Sequence, residues 1–263
     1  MALSKHIKMP NASEEKAMKS LTARKITRGL TSLIIGLPLV FTHFASAQTY
    51  VPAQFGNTLN YIEQTITMPE LTADQPVVAV YCQADVDANG ITSNAVCFEK
   101  EGFDSLRDQT TEAVNGRQFT PAQVDNKKVP VRMQFRVIYA KLDGQPPIML
   151  LPNLGYMQSK YGHDYTDPQE RLDQPQWYEL YKRNDWAEGL PFFSREENMT
   201  RVLAMIDENG KVISARRLEA QKTNKRDVVE VEKVVKKSSF IPGFSRGKAE
   251  RMQYVAVLHY RAE

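Results

Sequence analysis

The chain has 263 residues, and 34 Lys and Arg stand against 31 Asp and Glu. Seven of those basic residues and two of the acidic ones lie in residues 1–47, so the remaining 216 residues carry 27 and 29, a net charge of −2. That balance gives no charge argument for nucleic acid or for an anionic membrane surface, and the length suits two small domains of about 80 to 100 residues.

Residues 1–47 read as a targeting segment. Lys19, Arg24, Lys25 and Arg28 precede a mostly apolar run from Leu30 to Phe44, and Ala45-Ser46-Ala47 supplies the small residues that a signal peptidase needs. The run is shorter than the roughly 20 residues that span a bilayer and contains Gly36 and Pro38. The expectation is cleavage after Ala47 and a periplasmic location. A retained signal anchor is the alternative, and either Met1 or Met18 serves as the start. Both cysteines, Cys82 and Cys97, lie beyond this segment, and an even count outside the cytosol favours a disulfide.

Val77 to Val86 and Ile91 to Phe98 predict two strands around Asn89-Gly90, a strong signal for a type I′ hairpin. With Asn89-Gly90 as a two-residue loop, opposed residues sum to 179, as do 82 and 97. The two cysteines then face each other on one side of the sheet, at a spacing that a disulfide can close. Phe103 to Asn115 predicts a helix, with Phe103, Leu106, Thr110 and Ala113 on one face, Asp104 as N-cap and Asn115-Gly116 as stop. Val129, Val131, Met133, Phe135, Val137 and Tyr139 alternate with Pro130, Arg132, Gln134 and Arg136, which predicts a strand.

The pattern then recurs. Val86-Asp87-Ala88-Asn89-Gly90 returns as Ile206-Asp207-Glu208-Asn209-Gly210, an offset of 120. Gln118-Phe119-Thr120-Pro121-Ala122 returns as Ser239-Phe240-Ile241-Pro242-Gly243, an offset of 121. Landmarks that keep their spacing point to a duplicated unit. The second hairpin is expected from Arg201 to Leu218, with Val202 and Arg217 where the first copy has cysteines. A helix is expected over Asp227 to Lys237 and a closing strand over Met252 to Tyr260. Lead-in strands are expected near Tyr61 to Met68 and Gly189 to Ser194. The segment between the copies is rich in Pro and aromatics, which argues for packing rather than a free linker, with a short helix near Gln176 to Arg183.

Strand, Asp-x-Asn-Gly hairpin, strand, helix, Phe-x-Pro and an alternating closing strand together resemble the C-terminal domain family of TonB. The resemblance covers about residues 70–145 and 195–263. It implies an α+β fold of two ββαβ units, with residues 1–47 as signal peptide, 48–145 as the first unit, 146–188 as connection and 189–263 as the second unit. The long Pro-rich spacer of the energy transducers is absent before the first copy. The resemblance therefore implies a protein-binding fold and not energy transduction. In that family the closing strand accepts a partner strand, here Tyr254, Val255, Ala256, Val257 and Leu258, and less directly Phe135 to Tyr139. Such β-strand addition draws affinity from backbone hydrogen bonds.

Catalytic motifs are lacking: the sequence has no nucleophile elbow, P-loop or dinucleotide fingerprint. His163-Asp164 between Tyr161 and Tyr165 is the one local group suggestive of chemistry, and a metal site needs more ligands at a defined spacing. The sequence reading is an exported envelope accessory that binds a protein or peptide, without enzymatic activity, cofactor, metal or nucleic-acid partner. The alternatives are a signal-anchored accessory of a TonB-type transport system and a small periplasmic enzyme with its site in the central segment.

Overall fold

The computed structural model describes residues 48–99, 102–174, 199–218, 232–233 and 235–259. The leader, the expected helix at 176–183 and the expected lead-in at 189–194 lie outside these residues. The fold is mixed and mostly strand, compatible with the α+β class, and among the described residues no helix is long and apolar enough to cross a membrane.

The first elements are β1 (Tyr50–Val51) and α1 (Thr58–Thr65). Helix α1 replaces the strand expected from Tyr61. Leu59, Ile62 and Ile66 recur at helical spacing, and Ile62 is fully buried in the core. Strands β2 (Val77–Val86) and β3 (Thr92–Phe98) form the hairpin, and α2 (Asp104–Val114) follows. Leu106, Thr110, Ala113 and Val114 are its buried face. Asp104 is the first helical residue rather than the cap and pairs with Arg107. The N–H groups of Gly102 and Phe103 donate instead to the Glu99 carboxylate, at 2.9 and 2.8 Å.

Strands β4 (Ala122–Val124) and β5 (Lys127–Val129) make a small hairpin, and β6 (Val131–Ala140) runs antiparallel to β2 along its full length. The connecting segment supplies β7 (Ile148–Leu151), α3 (Gln158–Tyr161), β8 (Tyr165–Thr166) and β9 (Gln169–Arg171). Then come β10 (Met199–Ile206), β11 (Val212–Arg217), β12 (Phe240–Ile241), β13 (Gly243–Ser245), β14 (Lys248–Glu250) and β15 (Met252–His259). Glu232, Lys233 and Val235 are helical, within the helix expected at 227–237, most of which lies outside the described residues.

The largest sheet has the order β12-β9-β6-β2-β3, with β7 also on β6. Strand β7 pairs with Arg136 to Tyr139, so this stretch of β6 is not an open edge for a partner. A second sheet has the order β11-β10-β15, and β1-β4-β5 and β14-β13-β8 complete the set. Phe55, Phe119 and Phe135 meet edge to face at the centre of the main core, where each such pair adds to simple burial.

Elements 120 or 121 residues apart pair alike. Cys82 faces Cys97, and Val202 faces Arg217. Asp87 Oδ1 accepts from the N–H of Asn89 and Ile91, both at 2.8 Å, and Asp207 Oδ1 from Asn209 and Lys211, both at 2.9 Å. Each turn then docks on its Phe-x-Pro passage: Gly90 O accepts from Phe119 N at 2.7 Å and Gly210 O from Phe240 N at 3.0 Å. Both glycines have φ > 0, +87° and +71°, and a Cβ there would stand 2.1 and 2.0 Å from the Phe119 and Phe240 carbonyl oxygens. The positive φ and the contact with the passage both call for glycine.

The hairpin turn differs from the expected one. Asp87 N donates to Ile91 O, so three residues, Ala88 to Gly90, form the loop, and near it opposed residues sum to 178. A bulge then places both Asn94 and Ala95 opposite Ala84, with Asn94 at φ +50°. The shift restores the sum to 179, and Cys82 meets Cys97 as expected. They form a disulfide with Cα atoms 4.1 Å apart.

Candidate functional site

Two regions collect the polar groups that the core leaves over: the outer edge of β15 and the polar face of β6 beneath it. They share residues.

Strand β15 pairs on one side with β10, from Met252 opposite Ile206 to His259 opposite Met199. On the other side, alternate residues give their backbone groups to side chains of the same chain. The Tyr161 hydroxyl donates to Arg251 O at 2.9 Å, and the Tyr156 hydroxyl donates to Gln253 O at 2.5 Å. Gln253 N donates to the Met157 sulfur at 3.4 Å, and the Gln134 amide donates to Val255 O at 3.0 Å. Residues 251, 253 and 255 thus mark the outward row, by the two-residue period of a strand. Tyr156, Met157 and Tyr161 stand on and around α3, and Gln134 on β6. Single side chains occupy the positions at which a neighbouring strand would donate.

Of the five residues expected to meet a partner, Tyr254, Val255 and Ala256 are buried, and Tyr254 packs edge to face on Phe240. Val257 and Leu258 pair through the backbone with Arg201 and Thr200, and their side chains lie outside the described residues.

Beneath this edge lies the polar half of the β6 alternation. Met133, Phe135 and Val137 enter the apolar core, while Gln134 and Arg136 point the other way and are buried too. The alternation read in the sequence is real, but its polar side faces α3 and β15 rather than water. Arg136 Nη2 donates to Gln158 Oε1 at 2.9 Å. Toward the hairpin turn, Arg132 grips the Asp85 carboxylate with two bonds of 2.8 and 3.1 Å.

Asp167 is the most perturbed group here. It is 1 % exposed, and its Oδ2 accepts from Leu154 N at 2.7 Å. Burial pushes its carboxyl up to about 8, against opposing effects from the Leu154 N–H, Arg136 and the Tyr156 hydroxyl. At neutral pH the acid is therefore mostly uncharged, and its Oδ1 has no hydrogen-bond partner among the described residues. Burial also raises Tyr156 and Tyr165. Tyr165 accepts from Met157 N at 3.1 Å, and Asn153 donates to Tyr165 O at 2.6 Å and His163 O at 3.0 Å. The cluster ties residues 153–167 into the loop that caps β15. Buried as it is, Asp167 acts as an anchor of this loop rather than as an acid open to a substrate. His163 and Asp164 are exposed, and the His163 ring touches only Gln158 among the described hydrogen bonds.

The sequence also holds a further landmark, at an offset other than 120 or 121. Tyr50-Val51-Pro52-Ala53-Gln54 returns as Tyr165-Thr166-Asp167-Pro168-Gln169, at an offset of 115. Tyr50 and Gln54 pair with Val124 and Thr120, while Tyr165 and Gln169 pair with Ser245 and Ile241, their counterparts 121 residues on. A search for Tyr-x-x-x-Gln ahead of each hairpin finds it. The two strands are also bolted to each other, since the Gln169 amide accepts from Ala53 N at 2.8 Å and donates to Ala53 O at 3.0 Å. A separate groove of about 400 Å³ opens at the start of α2, lined by Met68, Phe103, Leu106 and Gln109 among others.

The chain matches no protein-family model, no curated protein and no solved structure.

Proposed function

We propose that this chain is an exported protein of the bacterial envelope, built from two TonB-C-like ββαβ units, that works by binding a protein or peptide partner through strand addition. The matched turns, passages and lead-in strands support the duplicated unit, and on this reading its second copy starts at Tyr165. The disulfide between Cys82 and Cys97 supports an oxidising compartment. One observation carries the binding reading: the outward carbonyls of β15 at 251, 253 and 255 are served by lone side chains instead of a strand. A partner strand enters where this row continues, along Val257 to His259, and extends inward by replacing the Gln134 and Tyr156 donors. Catalysis has no part in this reading, and neither does a cofactor or a metal.

Two experiments test it. Cell fractionation with intact mass of the recovered protein tests export. A periplasmic chain that begins at Gln48 is expected, and a membrane-bound chain that keeps its leader means a signal-anchored accessory. Capture from envelope extract tests binding, with Val257→Pro as the control. Residue 257 belongs to the outward row, so proline there removes an outward donor and leaves the β10 ladder intact. A specific partner retained by the wild type and lost by the variant is expected; equal retention by both refutes strand addition at this edge.

A further inference from the structure

Gln48 follows Ala45-Ser46-Ala47, so it becomes the first residue of the mature chain if the leader is cut there, and the modification proposed for it rests on that cleavage. The backbone just beyond it is fixed. Thr49 N donates to Asp125 Oδ1, Asp125 N donates to Thr49 O, both at 2.9 Å, and β1 pairs with β4. Gln48 itself is exposed, yet its side chain turns back to the fold. The Tyr50 hydroxyl lies 2.6 Å from Gln48 Oε1 and 2.8 Å from Asn209 O, so its single proton is shared between two acceptors. Burial raises the Tyr50 pKa, with Arg171 opposing and Asp125 and Asp207 reinforcing, so the hydroxyl remains a donor at neutral pH.

We propose that the mature N-terminus is a modification site, at which Gln48 cyclises to pyroglutamate with the Tyr50 hydroxyl assisting. The uncharged α-amine of Gln48 attacks its own Cδ. A nitrogen–carbon bond forms, and negative charge develops on Oε1, the nearer of the two acceptors of the Tyr50 O–H. The bond from Cδ to Nε2 then breaks. One proton passes from the attacking nitrogen to Nε2, and ammonia leaves. The product is a five-membered lactam whose oxygen, the former Oε1, still accepts from Tyr50. No oxidant or second substrate is needed. Tyr50 contributes as an oxyanion donor does, by holding charge where it develops in the transition state. The modified terminus has lost its positive charge beside the Asn209-Gly210 turn and offers no free amine to an aminopeptidase.

Pulse-labelled cells expressing the full chain test this, by mass of the N-terminal peptide at successive chase times. The expected result is a terminus at Gln48 that becomes lighter by one ammonia, several-fold more slowly in Tyr50→Phe. Gln48→Glu should leave an open terminus on an equally folded protein. A Gln48 terminus that stays open overturns the inference and leaves the cleavage reading intact. A different first residue, or a retained leader, overturns the cleavage reading itself. Equal rates in wild type and Tyr50→Phe, with equal yields and circular dichroism, overturn the role of Tyr50.

Discussion

Replacing Asp167 with asparagine should make the protein lose a pH dependence that the wild type shows. The carboxyl titrates near 3.8 when unfolded and is pushed up to about 8 in the fold, mainly by burial. Between those values the folded protein keeps a proton that the unfolded chain releases. The stability tied to this proton is complete below pH 3.8 and is lost as pH rises to about 8. One pKa unit corresponds to about 1.4 kcal/mol, so this residue alone costs the wild type on the order of 2 to 3 kcal/mol between pH 5 and pH 7. Asparagine keeps an oxygen for the Leu154 N–H and places an amide donor where the protonated oxygen sits, but it does not titrate. Urea unfolding followed by circular dichroism at pH 5, 6 and 7 gives the comparison. The stability of Asp167→Asn relative to wild type should rise by about 2 to 3 kcal/mol from pH 5 to pH 7. Parallel pH profiles would mean that the folded carboxylate is charged, held by Arg136, and the reasoning from burial would fail.

Three more expectations concern the scaffold. The double variant Cys82→Ser/Cys97→Ser opens a cross-link spanning 15 residues and should lose about 3 kcal/mol in urea unfolding; native protein that titrates with free thiols would contradict the bridge. Gly90→Ala and Gly210→Ala should each lower stability by at least about 1 to 2 kcal/mol from backbone conformation alone, with more added by the contact with the Phe119 or Phe240 carbonyl. Tolerance at either turn would argue against its docking on the passage. Gln169→Ala removes both partners of the Ala53 backbone and leaves its buried N–H and C=O unserved, which should cost about 2 to 4 kcal/mol; a change within 0.5 kcal/mol, as at ordinary surface sites, would show that the lead-in strands are not held together there.

Particular residues show how much of this is legible in the sequence. The alternation from Val131 to Tyr139 and the helical spacing from Leu106 to Ala113 each point to one buried face, and local pattern suffices for both. The facing of Cys82 and Cys97 is legible too, though by a route in which a longer turn and a bulge at Asn94 cancel. Register at a distance from a turn is the sum of such local irregularities, and a sequence displays only the sum. Helix α1 is misread as a strand because Tyr61 to Met68 is rich in residues that suit one, whereas packing of Leu59, Ile62 and Ile66 against the core selects the helix. The Tyr-x-x-x-Gln lead-in escapes notice because its offset, 115, differs from the 120 and 121 of the other landmarks, which places five extra residues between it and the second Asp-x-Asn-Gly turn. The candidate site is the least legible part. Gln134 and Arg136 look like surface polar residues until the segment around α3 folds over them; the aromatics of that segment point to packing, but not to the face they cover, which lies far away along the chain. The capping of β15 by Tyr156, Met157 and Tyr161 arises from the same cover.

The central claim is that a partner strand joins the outer edge of β15, and a photoreactive residue at position 257 tests it in living cells. The same group at Ile213, an exposed residue of β11 at the opposite edge of this sheet, serves as the control. The account predicts a discrete adduct with an envelope protein from position 257, lost when His259 in the same outward row is replaced by proline, and none from position 213. Adducts from 213 alone, or from neither position in a correctly exported protein, would contradict it.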